Sequence, residues 1–233
     1  MNTRFSQALC DKRATGTIPV IPDFKRISPK EGDLFGARDP VEMAKLMASL
    51  GAPALSVVTE PKSFGGSLDM LRSIADAAGL PVLRKDFMQN ADDLKATRAY
   101  GADAVLLICA ALDPHRLARL YEEALKCDLE PLVEARDAVE LELAGSLGAA
   151  LVGINNRDIL NLELDSGTVS RTASLAAHAP KGALLVSESG ILSPADARAA
   201  MAAGAGAVLV GTAVWRAEDT AGFYLSLCHA GKM

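Results

Sequence analysis

Eight short apolar runs, rich in valine, isoleucine and leucine, recur along the chain at 18–24, 54–59, 81–84, 104–108, 131–133, 150–154, 183–186 and 207–210. Each is apolar on both faces, as a parallel strand is when helices cover it outside and core side chains fill the inside. Helical spacing fills the gaps. Val41, Ala44, Leu46, Met47 and Leu50 form one stripe, Leu117, Leu120 and Leu125 another, and Val139, Leu143 and Leu147 a third. Asp39-Pro40, Asp113-Pro114 and Ser193-Pro194 each offer a capping side chain before a proline suited to the first helical turn. Right-handed crossovers wind such β-α units into one sheet, so the expected architecture is α/β, a (β/α)8 TIM barrel.

Such a barrel opens all its strand C-termini on one face, where residues remote in sequence share a pocket. Nearly every run here ends in a residue able to do chemistry: Asp23 and Lys25, Thr59, Lys85, Glu134, Asn155, Ser189 and Gly211.

The bulk properties narrow the class. A chain of 233 residues, half of them apolar, suits one α/β barrel domain spanning 1–233, with 1–17 a short N-terminal extension. The formal charge of −5 is spread along the chain without a basic run, which argues against a nucleic-acid partner. No apolar stretch approaches the roughly 18 residues that span a bilayer, and residues 1–17 lack a secretory apolar block, so a cytoplasmic protein without a membrane partner is expected. Cys10, Cys109, Cys127 and Cys228 stand far apart with no C-x-x-C pair, so neither disulfide nor metal is indicated.

Asp23 and Lys25 lie two apart on a strand and therefore share a face, as a functional pair or a structural ion pair. The loop 28–38 that follows is long enough to move over a ligand. Lys85 is a proton donor or a salt-bridge partner; crowding by a second cation would make its proton easier to lose. Glu134 is a base or the counter-ion of the lysines. In Asn155-Asn156-Arg157-Asp158, Arg157 could grip a carboxylate bidentately, against the alternative of an ordinary Asn-rich turn. Ser189-Gly190 and Gly211-Thr212 close the seventh and eighth strands, the two loops from which barrels frequently build phosphate sites. His115, His178 and His229 fall away from the strand ends, and Trp215 reads as packing.

In order and spacing these segments resemble the motifs of the indole-3-glycerol-phosphate synthase family: IPDFKRISP from Ile21, LSVVTE from Leu55, FGGSL from Phe64, LRKDF from Leu83, LVE from Leu132, GINNR from Gly153, VSESGI from Val186 and VLVG from Val208. The resemblance implies a monomeric enzyme that closes the indole ring of 1-(2-carboxyphenylamino)-1-deoxyribulose 5-phosphate, releasing carbon dioxide and water with no cofactor. It implies Lys85 as general acid, Glu134 as general base, and Lys25 in phosphate binding and proton transfer beside Asp23. Arg157 and Ser28 would hold the anthranilate carboxylate, Asn155 and Glu188 the sugar, and Ser189, Gly190, Gly211 and Thr212 the phosphate, with Phe64 and Phe87 walling the ring. Two departures stand out: the family usually has glutamate where this chain has Asp23, and a longer N-terminal extension, so a more open aromatic end is expected. The alternatives are another sugar-phosphate barrel enzyme and a catalytically silent paralogue that binds a phosphate metabolite.

Overall fold

The computed structural model describes residues 3–162, 164 and 167–232. Eight parallel strands close into a barrel: β1 (Val20–Phe24), β2 (Leu55–Val58), β3 (Val82–Lys85), β4 (Ala104–Ile108), β5 (Glu130–Ala135), β6 (Leu151–Asn155), β7 (Leu184–Glu188) and β8 (Ala207–Val210). Each strand pairs with its sequence neighbours, and β1 pairs with both β2 and β8.

Around it lie α2 (Pro40–Ser49), α3 (Leu68–Ala78), α4 (Ala91–Ala99), α5 (Pro114–Lys126), α6 (Ala138–Ser146), α7 (Ser170–Leu175), α8 (Pro194–Ala202), α9 (Thr212–Arg216) and α10 (Thr220–His229). The three expected caps form: Asp39 accepts from Val41 N at 2.7 Å, Asp113 from Arg116 N at 3.0 Å and Ser193 from Asp196 N at 3.3 Å.

Strand periodicity sorts the side chains. Val20, Val57, Val82, Val105, Val133, Val152 and Val208 face the helices, while Ile21, Leu83, Leu132, Leu151, Val186 and Leu209 fill the barrel interior. Two residues further along each strand the same parity carries Asp23, Lys85, Glu134, Gly153, Glu188 and Gly211 to the interior at the mouth.

The opposite end is closed by α1 (Arg4–Ala14). Its Phe5 and Leu9 are fully buried within the interior cluster. Arg4 meets the Asp103 carboxylate at 3.0 Å, Ser6 N donates to Glu130 Oε2 at 3.0 Å, and Lys12 Nζ donates to Gly51 O at 2.7 Å. These partners sit where β4, β5 and β2 begin, so the segment expected as a short extension is a plug for the barrel floor. Burial raises the Glu130 carboxyl above its ordinary range, against the hydrogen bonds from Ser6 that lower it.

The packing departs from expectation at two helices. Val139 is 74 % exposed, whereas Leu143 and Leu147 of the expected stripe pack, partly buried, against the core beside the buried Leu141 and Ala144. Leu46 of α2 is also exposed, while Met43, Ala44 and Met47 carry the contact. In both cases several apolar residues satisfy a helical period, and only the direction of the barrel decides which face is inward.

The loop after β1 forms a two-stranded hairpin, Ile27–Ser28 against Gly32–Asp33. Its far end is tied to the barrel by Arg38, which donates to Leu34 O, to Phe35 O at 3.1 Å and to Trp215 O at 2.6 Å. No helix among the described residues is long and apolar enough to cross a membrane.

Candidate active site

Lys85, the last residue of β3, reaches across the barrel to Glu188, the last residue of β7, with Nζ 2.9 Å from Oε2. Lys85 is 7 % exposed and Glu188 fully buried. In a low-dielectric interior each charge needs the other; removing one partner of a buried pair costs about 3–5 kcal/mol. The carboxylate finds room because β6 carries Gly153: a Cβ there would lie 2.0 Å from Glu188 Oε1. Beside it Asn155 Nδ2 donates to Glu134 Oε2 at 3.2 Å, and Asn155 Oδ1 accepts from Arg157 N at 3.0 Å. Four strands thus place one ammonium, two carboxylates and an amide in a single layer.

The β1 edge is held from behind. Trp215 Nε1 donates to Asp23 O at 2.6 Å, and its ring packs on Phe24 with centroids 4.8 Å apart. The residue expected to be packing therefore also fixes the backbone of Asp23. Ser56 Oγ donates to Asp23 Oδ1 at 2.7 Å, so this carboxylate is anchored sideways to β2. Lys25 Nζ stands 5.6 Å from the centroid of Phe64, within cation–π range.

Two cavities open at the mouth. The first, about 360 Å³ with its open rim, is walled by Phe64, Phe87, Val58, Leu106, Ile108 and Ile159, with Asp23, Lys25 and Lys85 among its polar lining. The second, about 370 Å³, is lined by Arg157, Ser189, Gly190, Leu192, Gly211 and Thr212. Asp23 and Lys25 line both, so the cavities form one cleft with an apolar half and a half lined by the Ser189-Gly190 and Gly211-Thr212 turns.

Most of the sequence-predicted residues gather here. Glu134, Asn155 and Glu188 are buried at the barrel mouth, where Glu188 meets Lys85 and Asn155 Oδ1 accepts from Arg157 N. Arg157 lies on the turn-lined half, and its Nε is shielded from solvent with no hydrogen-bond partner among the described residues. Ser28 is buried in the loop hairpin, its Oγ accepting from Glu31 N at 3.3 Å. His115 and His229 lie on α5 and α10, and His178 lines a groove beside α6.

Sequence reasoning passed over several contributors. Leu106, Ile108 and Ile159 wall the apolar half, yet an apolar strand end carries no chemical signal of its own. Asp86, held by Thr59 Oγ1 at 2.6 Å and Arg84 at 3.0 Å, also lines that half. Cys109, just after β4, has its thiol pushed up to about 12 by burial, with Glu140 and Glu134 adding to the effect, so it stays protonated and is no nucleophile at neutral pH.

Residues 1–227 match the family model described as indole-3-glycerol phosphate synthase. An indole-3-glycerol phosphate synthase from a Nocardioides species is 45% identical over 210 residues, 90% of this chain and 79% of the relative. One from Pyrococcus abyssi is 41% identical over 208 residues, 89% of this chain and 90% of the relative. One from Bordetella pertussis is 43% identical over 215 residues, 92% of this chain and 81% of the relative. Among solved structures, thiamine phosphate pyrophosphorylase from Pyrococcus furiosus superposes with a TM-score of 0.66 at 16% identity, covering 92% of this chain and 96% of that one, a likeness of fold alone. With its family model matched nearly end to end and close relatives across about nine-tenths of its length, the chain belongs to the indole-3-glycerol phosphate synthase family.

Proposed function

We propose that Lys85, Glu134 and the cleft joined at Asp23 and Lys25 carry out the ring closure of 1-(2-carboxyphenylamino)-1-deoxyribulose 5-phosphate. Membership of the family makes the chain a carboxy-lyase of tryptophan biosynthesis. The observation that carries the residue assignment is the two-part cleft: an apolar half for an aromatic ring, a turn-lined half for a phosphate, and Lys25 where they meet.

The phosphate sits on the turns at Ser189-Gly190 and Gly211-Thr212 and faces the Lys25 ammonium, while the ring lies between Phe64 and Phe87. This stretches the substrate over Lys85. Arg157 and Ser28 take the ring carboxylate; the buried Arg157 Nε supports this as a donor suited to an anion. Asn155 and Glu188 border the sugar.

The ring carbon bearing the carboxylate attacks the ketone carbon, and the carbonyl electrons move to oxygen, which takes a proton from the Lys85 ammonium. Carbon dioxide then leaves, and its bonding electrons restore the aromatic ring. The new hydroxyl departs as water with a proton from a lysine, while Glu134 accepts a proton from the adjacent methylene and the C–H electrons form the ring double bond. Glu188 holds the Lys85 side chain in place. Each oriented charge contributes on the order of 2–4 kcal/mol to lowering the barrier.

Indole-ring formation, followed by product absorbance, tests the assignment. Lys85→Ala and Glu134→Gln each lower kcat by about 100-fold or more with the far-ultraviolet circular dichroism retained. Near-normal rates in either folded variant would refute its role.

A further inference from the structure

The turn at Ser189-Gly190 is held in an unusual shape. Ser189 has φ of 60° and Gly190 φ of 69°, two consecutive left-handed residues, the first of them with a side chain. A non-glycine residue adopts this conformation only where its surroundings over-determine it. The surroundings here converge on one side chain, Asn156, which is 1% exposed, lies one residue past β6 and lines neither cavity.

The Asn156 amide nitrogen lies 3.0 Å from Ser187 Oγ, 3.0 Å from Glu188 O and 3.0 Å from Ser189 O, while its backbone N–H donates to Glu188 O at 2.8 Å. Its Oδ1 is fixed in turn by Thr172, accepting from both N and Oγ1 at 3.0 Å. Thr172 Oγ1 and Ser187 Oγ close the ring at 2.7 Å. Asn156, Thr172, Ser187 and Glu188 are buried and Ser189 is half-buried, so the amide has a single orientation that satisfies its partners.

We infer that Asn156 is a positioning residue that sets the anion affinity of the cleft by holding the carbonyls of Glu188 and Ser189 inward. In a planar trans peptide the C=O and the following N–H point in opposite directions. Ser189 O turned towards Asn156 therefore turns Gly190 N–H the other way, to the side on which Ser189 and Gly190 line the cavity. Glu188 O does the same for Ser189 N–H. The same grip fixes the backbone from which the Glu188 carboxylate reaches Lys85. The inference rests on the reading of these turns as a phosphate cradle and names what gives the cradle its shape.

The test is the affinity for inorganic phosphate, measured by calorimetry well below the unfolding temperature, alongside steady-state kinetics. Lys25→Met serves as the control on the cradle. Phosphate binding that Lys25→Met weakens supports the cradle; wild-type protein that does not bind phosphate, or a Lys25→Met variant that binds it unchanged, overturns the cradle and the inference with it. Given a sound cradle, Asn156→Ala raises the phosphate Kd about tenfold or more and raises KM by a larger factor than it lowers kcat. A role in stability alone would lower Tm and leave the phosphate Kd where it was, and that result overturns the inference. Should Asn156→Ala not fold, Thr172→Val, which removes one of the donors on Oδ1, carries the comparison: a Kd raised at least twofold supports the inference and an unchanged one refutes it.

Discussion

Gly153→Ala separates the position of a carboxylate from its presence. The added methyl would sit 2.0 Å from Glu188 Oε1 and 3.1 Å from Glu188 Cδ, but 3.6 Å from Leu132 Cδ1, an ordinary contact. Contact distances begin near 3.4 Å, so the carboxylate oxygen must withdraw by about 1.4 Å. Position 153 lies in a strand outside the left-handed region, so alanine adds no backbone strain, and the obstructing group is the end of a side chain that can turn. The fold therefore survives, and the 2.9 Å contact between Lys85 and Glu188 does not. A displacement of about 1 Å at a reacting group costs about 100-fold in rate, equivalent to about 2.7 kcal/mol. Product absorbance gives kcat and KM, and thermal unfolding gives stability. A kcat within about threefold of wild type in a folded variant would show that the Lys85–Glu188 geometry is not what limits turnover.

Three further outcomes follow from other parts of the molecule. Asp23→Glu lengthens a buried acid whose Oδ1 is tied to Ser56 Oγ at 2.7 Å, so kcat/KM falls about fivefold, the scale of one lost hydrogen bond; a gain in rate would refute this. Phe5→Ala removes a fully buried ring from the barrel floor and costs about 3–5 kcal/mol, lowering Tm by ~10 °C with kcat at 25 °C unchanged, because the cleft lies at the other end. Burial lifts the Glu130 carboxyl above 4.5, so the folded chain holds that proton more tightly than the unfolded chain; the resulting stabilisation is present at low pH and is lost as pH rises through the folded value. Glu130→Gln, always neutral and still able to accept from Ser6 N–H, should therefore raise Tm at pH 7, with the advantage closing below about pH 4.5; a lower Tm at pH 7 would count against the burial argument.

The strands were legible because short runs rich in valine, isoleucine and leucine, apolar on both faces and alternating with segments of helical spacing, fit buried parallel strands, and the polar residue at each strand end marked the mouth. Lys85, Glu134 and Asp23 stood out for that reason. What stayed hidden depended on distance along the chain: Lys85 and Glu188 lie 103 residues apart, and Trp215 meets Asp23 across 192. Asn156 looked like part of a polar turn, since its partners lie 16 to 33 residues onward. At α6 only Val139 was misplaced and Leu141 passed over, because Val139, Leu141, Leu143 and Leu147 satisfy more than one helical face. α1 was read only as an extension, because two buried residues among eleven give too faint a rhythm to announce a helix with a core-facing side.

The docking of α1 has a consequence for how the chain acquires its shape. Its holds are on Gly51, Asp103 and Glu130, and next to it Ile18 N donates to Cys228 O at 2.9 Å while Tyr224 Oη donates to Val20 O at 3.0 Å. The seat of α1 is therefore complete only once segments 99 and 124 residues further along the chain are in place. Loops of this span are slow to close, so Phe5 and Leu9 stay uncovered until the strands around them have formed, and seating them is a late step in folding.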